Sequence, residues 1–304
     1  MDRYLPEGYP KENSDCRHYI QNESGMREAM EKEVILEAKA LMCTGEHDII
    51  VDLPCGRGII YREEGALGIR EGKTRDIALL SKVGKSVCFK IKEIREEGDI
   101  RFILSRRAAQ EECFEKYISK LVPGDVIPAK VTHLERFGCF VDIGCGIPSL
   151  IPIDAISVSR ISHPNDRFYN GQCIKAVVKG VEEDRILLTH KELLGTWEEN
   201  TSRFSVGQTV SGIVRSVEDY GVFVELAPNL AGLAESRENI TPGQTASVFI
   251  KAIIPEKMKV KLIIVDVFDT PSLPVKLDYF ISESHIDNWV YSTDESSKVI
   301  ETHF

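Results

Sequence analysis

One short stretch constrains this chain more than any other, because it occurs twice. Residues 136–144 read Arg-Phe-Gly-Cys-Phe-Val-Asp-Ile-Gly, and residues 219–226 read Asp-Tyr-Gly-Val-Phe-Val-Glu-Leu. Both have the alternation of a β-strand with one apolar face. Phe140 and Phe223 fall on the opposite phase of each strand, which they share with an acidic residue. Two large aromatic residues at the same place on two polar faces indicate a use in binding.

Two interpretations of these rings are equally open on the alternation alone. In the first, Phe140 and Phe223, with Phe137 and Tyr220 three residues earlier, are platforms on which nucleic-acid bases stack. Such stacking contributes roughly 1–3 kcal/mol per base and tolerates any base. In the second, the rings pack under a loop or against a neighbouring domain, as single aromatic residues commonly do.

The remaining β-type segments repeat in the same order around this stretch. Five short strands are predicted in each of residues 33–107, 121–190 and 205–267, and a Gly followed by Asp or Gln opens several of them. An internal repeat of this length and strand number predicts small five-stranded barrels. We therefore predict a mainly β protein of three tandem barrels.

Two charge-rich segments separate the repeats. Residues 108–120 and 191–204 combine charged residues with the apolar spacing of amphipathic helices. We predict that each forms a linker helix, so that the barrels are joined by short α-helices.

The two ends of the chain lie outside the repeats. Residues 1–32 are predicted to form an extended arm and a short helix, with Ser24 as its cap. Residues 268–304 form an acidic extension, in which residues 277–281 and 289–291 are predicted to make a hairpin packed on the third barrel.

The net charge of −10 is concentrated in that extension. Residues 266–304, which include the extension, carry a net charge of −6, whereas residues 121–190 carry −1 and residues 206–265 carry 0. Near-neutral repeats permit a local basic face, but they argue against tight nucleic-acid binding driven by bulk charge.

Composition and motifs favour a binding protein over an enzyme. The eight cysteines include no Cys-x-x-Cys pair, so we expect buried free thiols, and neither a metal nor a cofactor is predicted. No phosphate-binding loop or nucleophile elbow is present. His285, Asp287 and His303 are expected to be solvated rather than catalytic. The chain has neither a long apolar run nor an apolar signal at its start, so a cytoplasmic location is expected.

These patterns resemble the RNA-binding repeats of the bacterial ribosomal protein S-one family over residues 33–265. The shared pattern is an aromatic-Gly-x-Phe-Val-Asp/Glu strand, a Gly-Leu or Gly-Ile segment, a second Gly-Gln opening and a last strand that begins with a basic residue. The resemblance implies OB-type β-barrels that bind single-stranded RNA.

The resemblance also implies which residues contact RNA. In the second and third repeats the family's aromatic and basic positions correspond to six residues: Phe137, Phe140, Arg185, Tyr220, Phe223 and Lys259. The first repeat is degenerate, because His47 and Ile50 replace the aromatic residues. His47, Tyr61 and Arg101 are its candidates for weaker contacts.

The resulting expectation is an RNA-binding protein that acts on single-stranded RNA or mRNA in translation or RNA metabolism. A monomer that associates with the small ribosomal subunit and not with membranes is expected. The alternative is a non-catalytic interaction protein whose barrels dock on the ribosome or on other proteins with little RNA affinity. A family His after the Gly-Leu segment is replaced by Pro152 and Glu235, which favours the alternative. The paired aromatic residues favour RNA.

Overall fold

The three repeats fold into three closed β-barrels of five strands each. The computed structural model describes residues 4–10, 17–182, 185–269 and 277–304. The strands of the first barrel are β1 (Leu36–Cys43), β2 (Ile49–Leu53), β3 (Gly56–Ile60), β4 (Ser86–Ile94) and β5 (Ile100–Ser105). Those of the second are β6 (Val126–Glu135), β7 (Gly138–Asp142), β8 (Pro148–Pro152), β9 (Cys173–Glu182) and β10 (Arg185–Thr189). Those of the third are β11 (Thr209–Glu218), β12 (Gly221–Ala227), β13 (Leu230–Ala234), β14 (Thr245–Ile254) and β15 (Lys259–Phe268). The predicted mainly β fold of three barrels is confirmed.

All three barrels have the same strand order. The first strand of each lies between the second and the fourth, and the third strand lies beside the fifth. The contact between the third and fifth strands is parallel in each barrel, as in β13 with β15. A closed barrel has no free strand edge, so what remains for binding is its outer face and its loops.

A repeated glycine turn fixes where strands begin. Gly124, Gly171, Gly207 and Gly243 have φ of +92°, +88°, +90° and +97°, a backbone conformation that glycine adopts at no steric cost. The Asp or Gln that follows each glycine accepts a hydrogen bond from the backbone N–H three residues before it: Asp125 from Val122, Gln172 from Tyr169, Gln208 from Ser205 and Gln244 from Thr241. The Gly-Asp and Gly-Gln pairs of the sequence are therefore self-contained turns.

The helices are short and lie outside the barrel walls. They are α1 (Glu23–Glu31), α2 (Ile77–Leu80), α3 (Arg106–Lys116) and α4 (Trp197–Thr201). The side chain of Asn22 caps α1 by accepting from the Gly25 N–H at 2.8 Å, so the predicted Ser24 cap is wrong.

The two linkers differ from each other. The first contains α3 and a 3₁₀ turn at Ile118–Lys120. The second, predicted as one helix, is divided into a 3₁₀ turn at Lys191–Leu194 and α4. Gly195 lies between them with φ of +83°, and Thr196 then caps α4 by accepting from the Glu199 N–H.

The chain clusters into two compact units. The first consists of residues 1–121 with residues 128–130 and 142–148, and the second contains the rest. Phe89 and Phe102 are fully buried in the core of the first barrel. Parts of the predicted arm (residues 1–3 and 11–16), of the extension (270–276) and of the second repeat (183–184) lie outside the described residues.

Residues 277–304, which we call the strap, run along the second and third barrels within the second unit. Their hairpin pairs β16 (Asn288–Val290) with β17 (Glu301–His303), so the predicted pairing with residues 277–281 is wrong. Ser284 C=O accepts from the Val126 N–H of β6 at 2.9 Å, and the Tyr291 hydroxyl donates to the Asn229 C=O before β13 at 2.5 Å. The strap thus contacts both barrels.

Candidate nucleic-acid interface

Each of the second and third barrels presents two aromatic rings in the same arrangement. Phe137 and Phe140 have ring centroids 5.9 Å apart at an interplanar angle of 88°, and Tyr220 and Phe223 have centroids 6.1 Å apart at 87°. The outer ring of each pair is exposed, 57% for Phe137 and 70% for Tyr220, and the inner ring is half-buried. Both pairs therefore offer accessible ring surface in one edge-to-face geometry, which aromatic pairs prefer.

The glycine between the two aromatic residues of each pair explains how the outer ring comes to be exposed. Gly221 has φ of +154°, and a Cβ atom there would collide with the Ala234 backbone oxygen on β13. At Gly138 a Cβ atom would meet the Ile151 backbone oxygen at 2.5 Å. Only glycine allows the neighbouring strand to approach this closely, so the turn that exposes the outer ring requires it.

A third ring, which the sequence did not indicate, joins the pair of the second barrel. The ring of His133 on β6 lies over Phe140, with centroids 6.4 Å apart at 29°. Its Nε2 lies 2.7 Å from Glu135 Oε1. Alternation within β7 could not indicate His133, because His133 lies on the preceding strand, seven residues before Phe140. In the third repeat the aligned residue is Ser216, which is the registered partner of Phe223.

Strand register places Phe223 in a row of residues across the third barrel, and we call this row and the corresponding positions of the other two barrels platform rows. The row of the third barrel is Ser216, Phe223, Leu233 and Lys261. The row of the first barrel is Met42, Ile50, Ile59 and Ile103. In the second barrel, Leu150 and Leu187 are registered partners and occupy the places of Leu233 and Lys261. The rows are geometrically equivalent and chemically different.

The predicted basic residues lie beside the rows rather than in them. Arg185 and Lys259 are exposed at the start of β10 and β15, two residues before the row position. Lys261, which the sequence did not indicate, lies in the row itself. The only signal for Lys261 would have been the parallel register of β13 with β15, which pairs it with Leu233.

The candidates of the first barrel are not arranged as a platform. His47 lies in the turn between β1 and β2 with φ of +67°, and Tyr61 is partly exposed after β3. The Arg101 guanidinium is bonded to the Glu23 carboxylate, so its charge is already compensated. Three isoleucines, Ile50, Ile59 and Ile103, form a small buried apolar cluster in the row.

The acidic residues predicted on the polar strand face are buried, which corrects that prediction. Asp142 and Glu225 are each 3% exposed. Asp142 Oδ2 accepts from the Glu7 N–H at 2.7 Å, and its Oδ1 accepts from the Gly144 N–H at 2.8 Å. Burial, together with the nearby Glu7 carboxylate, raises the pKa of Asp142 to about 6. These acids hold neighbouring segments in place.

Glu225 forms a buried ion network in the second unit. Its Oε2 accepts from Arg167 Nη2 at 2.6 Å and from Arg215 Nε at 2.8 Å, and Arg215 also meets Asp166 at 2.7 Å. Arg167 follows the 3₁₀ turn of the second barrel, whereas Glu225 lies on β12. The network therefore fastens a loop of the second barrel to the third.

In the described part of the chain, no three or more His, Cys, Asp and Glu side chains are grouped so as to hold a metal ion. None of the helices it contains is long and apolar enough to cross a membrane. Burial raises the pKa of the Cys139 thiol to about 12, which leaves it protonated and unreactive at neutral pH.

The family comparison matches the second barrel. Residues 120–191 match the S1 RNA binding domain. The predicted resemblance to the ribosomal protein S-one family is confirmed.

Similar curated proteins are small ribosomal subunit proteins bS1 of staphylococci. The protein of Staphylococcus aureus (strain COL) is 34% identical over 123 residues, which cover 38% of this chain and 31% of that protein. The protein of Staphylococcus haemolyticus (strain JCSC1435) is 38% identical over 119 residues, covering 37% of this chain and 30% of that protein. The chain thus spans less than a third of the length of these relatives.

Solved structures align only weakly. A multidomain protein with nucleic acid binding domains from Streptococcus pneumoniae tigr4 aligns with a TM-score of 0.25 and 14% identity, over 77% of this chain and 74% of that chain. GSP13 from Bacillus subtilis aligns with a TM-score of 0.22 and 24% identity, over 24% of this chain and 55% of that chain. Scores this low carry no argument about function.

Proposed function

Because the second barrel matches the S1 RNA binding domain, we propose that this protein binds single-stranded RNA through the platform rows of its second and third barrels. The observation that carries the proposal is the recurrence of one ring geometry, Phe137 with Phe140 and Tyr220 with Phe223, on the outer faces of two barrels. A structural role in the core does not require such exposed outer rings.

In this proposal, bases stack on Phe140 and Phe223 while their phosphates meet basic residues at the start of the last strand of each barrel. Arg185 and Lys259 are exposed there. Stacking is tolerant of sequence because every base has a π-face. We therefore propose broad recognition of unpaired RNA, by a protein that binds and does not catalyse.

The setting we propose is translation or RNA metabolism in the cytoplasm. The relatives are named as small ribosomal subunit proteins, which supports mRNA and the small ribosomal subunit as partners of a monomer. A count of ribosome-bound protein after sucrose-gradient sedimentation, with and without nuclease, would test the ribosomal part. Loss of the bound fraction on nuclease treatment would indicate that RNA, rather than a ribosomal protein, holds it there.

A second function, protein docking, is favoured for the first barrel by one observation. Its platform row holds Met42 and three isoleucines, and one of them, Ile50, stands where the other two barrels hold Phe140 and Phe223. An aliphatic row has no π-face for stacking, and Met42, at its end, is exposed. We expect Met42→Ala to leave RNA affinity unchanged; a loss of affinity would assign the first barrel to RNA.

The proposed function is tested by fluorescence anisotropy of the full chain with a labelled single-stranded RNA of mixed sequence and with the same RNA annealed to its complement. We expect binding to the single strand and much weaker binding to the duplex, because paired bases cannot stack on the rings. Equal binding to both, or to neither at low salt, would contradict the proposal.

A further inference from the structure

The third barrel has a cation in its platform row that the other two barrels lack. Lys261 is registered with Leu233, which is registered with Phe223. The same place is occupied by Ile103 in the first barrel and by Leu187 in the second. The difference is a charged head at this place in the third barrel and an aliphatic side chain in the other two.

The surroundings of Lys261 leave its ammonium group available. The residue is exposed on β15, and no ion pair involves it among the residues that the structure describes. Lys259, on the same face of the strand, is also exposed. Two neighbouring lysines on one face create a local positive field although the barrel as a whole is neutral.

The two arginines of this barrel are already engaged. Arg215 is bonded to Glu225 and Asp166, and the Arg237 guanidinium donates to the backbone carbonyls of Ile264 and Val265. The fold therefore holds these arginine side chains in place, whereas the exposed lysines can contact a ligand.

The spacing within the row suits one nucleotide unit. Phe223 and Lys261 are two strands apart, which corresponds to roughly 10 Å between their backbones. Leu233 lies between them as a half-buried floor. A lysine has a flexible four-carbon stem, so its ammonium group can approach the sugar-phosphate backbone of a base that lies on the ring.

We propose that the platform row of the third barrel is a nucleotide-phosphate subsite, in which a base stacks on Phe223 and an adjacent RNA phosphate contacts Lys261. At the equivalent place the second barrel binds by stacking and apolar contact alone. This inference rests on the proposed RNA-binding function. It makes the third barrel the more salt-sensitive of the two.

The test is the salt dependence of RNA affinity for the full chain and for Lys261→Gln, with Lys298→Gln as the control. Lys298 is an exposed lysine of the strap, so the control makes the same change in net charge away from the row. Removal of one phosphate contact should reduce the slope of log K against log salt by about 0.7. A fourfold rise in salt should therefore weaken the unaltered protein about 2.6-fold more than Lys261→Gln. Lys298→Gln should keep the slope of the unaltered protein.

A gain-of-contact variant provides the complementary measurement. Leu187→Lys places a lysine at the equivalent position of the second barrel, where the residue is only half-buried, and should steepen the slope. Melting curves verify that each variant is folded.

The outcomes separate this inference from the proposed function. If the unaltered protein does not bind the RNA, both fail. If it binds, and Phe223→Ala weakens binding while Lys261→Gln keeps the slope, the phosphate subsite alone is overturned. A reduced slope for Lys261→Gln with an unchanged slope for Lys298→Gln supports it.

Discussion

Adjacent residues on β12 lie in opposite environments. Phe223 lies half-buried in the platform row, while Val224 is completely buried in the barrel core. Because successive side chains of a strand point to opposite faces, one position can be changed with little effect on the other's surroundings. We therefore expect RNA binding and stability to be separable in this strand, residue by residue.

We expect Phe223→Ala to reduce RNA affinity by roughly 1–3 kcal/mol with little change in melting temperature, since a stacking surface is lost and no core cavity forms. Phe140→Ala should behave in the same way. Tyr169→Ala is the control, because Tyr169 is an exposed aromatic residue outside both rows. Anisotropy titrations and melting curves measure the two effects. If both Phe variants melted at a lower temperature and RNA binding per folded molecule were unchanged, the two rings would have a structural role instead.

Val224→Ala should show the reverse pattern. Its side chain is fully buried, so its loss should lower the free energy of unfolding by about 1.5–3 kcal/mol. RNA affinity of the folded protein should be unchanged. Chemical denaturation and the same anisotropy titration test this, and a large loss of affinity without a loss of stability would contradict it.

The ring positions could be predicted from alternation, but the fate of the neighbouring acids could not. Asp142 and Glu225 share the phase of the rings, and that phase is normally solvated. Their partners come from far along the chain: Glu7 is 135 residues from Asp142, and Arg167 is 58 residues from Glu225. No local pattern reports contacts over such separations.

Glu225→Gln should be costly because it leaves Arg167 buried without its charged partner. We expect a loss of about 3 kcal/mol in the free energy of unfolding, at the lower end of the cost of breaking a buried ion pair, since Asp166 still faces Arg215. Glu235→Gln, at an exposed position of the same barrel, is the matched control. Equal denaturation midpoints for the two variants would show that the network contributes nothing to stability.

The elements that connect the barrels depend on a buried histidine. His190 is fully buried before the second linker, with Nδ1 3.0 Å from the Ile156 C=O and Nε2 3.3 Å from the Tyr279 hydroxyl of the strap. A neutral ring that donates from Nδ1 and accepts at Nε2 satisfies both partners. Burial lowers the pKa of His190 to about 4.

This shift predicts how stability depends on pH. The folded protein holds His190 neutral, whereas the unfolded chain protonates it near its ordinary pKa of 6.5. The contribution of neutral His190 to the free energy of unfolding is therefore complete above pH 6.5. This contribution, about 3 kcal/mol in total, is lost as the pH falls towards 4. The difference in unfolding free energy between the unaltered protein and His190→Asn should shrink over this range. A difference that stays constant between pH 6.5 and pH 4 would contradict this.

At the scale of strands and turns, the sequence predicted the turns but not the pairing register between strands. Each Gly-Asp or Gly-Gln turn closes on itself within a few residues, so its signal is local. The position of Lys261 in a row with Phe223 depends on the parallel pairing of β13 with β15, which are brought together only when the barrel closes. The strap's pairing of β16 with β17 was missed for a related reason, because its partner segment lies beyond the expected hairpin.

On the scale of the whole molecule, most of the net charge lies outside the second and third barrels. The chain carries −10, of which residues 266–304 contribute −6, whereas residues 206–265 are neutral. Three barrels and their order followed from the internal repeat. The placement of residues 128–130 and 142–148 in the first compact unit did not follow from the repeat, and their contacts there are long-range, as between Lys130 and the Glu7 C=O and between Gln110 and the Cys145 C=O.

Near-neutral barrels predict weak and salt-sensitive RNA binding. We expect micromolar rather than nanomolar affinity for unstructured RNA, with a slope of log K against log salt of about −0.7 per phosphate contacted and few phosphates involved. Titration of the full chain over a series of salt concentrations measures the slope. An affinity that does not change from low to physiological salt would exclude backbone contacts.

The strap has a consequence for how long an RNA remains bound. It is hydrogen-bonded to β6 of the second barrel and to the segment before β13 of the third. An RNA strand that is held by the ring pair of one barrel would therefore meet the ring pair of the other barrel at a high effective concentration, because this second binding event is intramolecular. Two individually weak contacts then give avidity: an RNA long enough to reach both barrels should dissociate far more slowly than one that fills a single barrel.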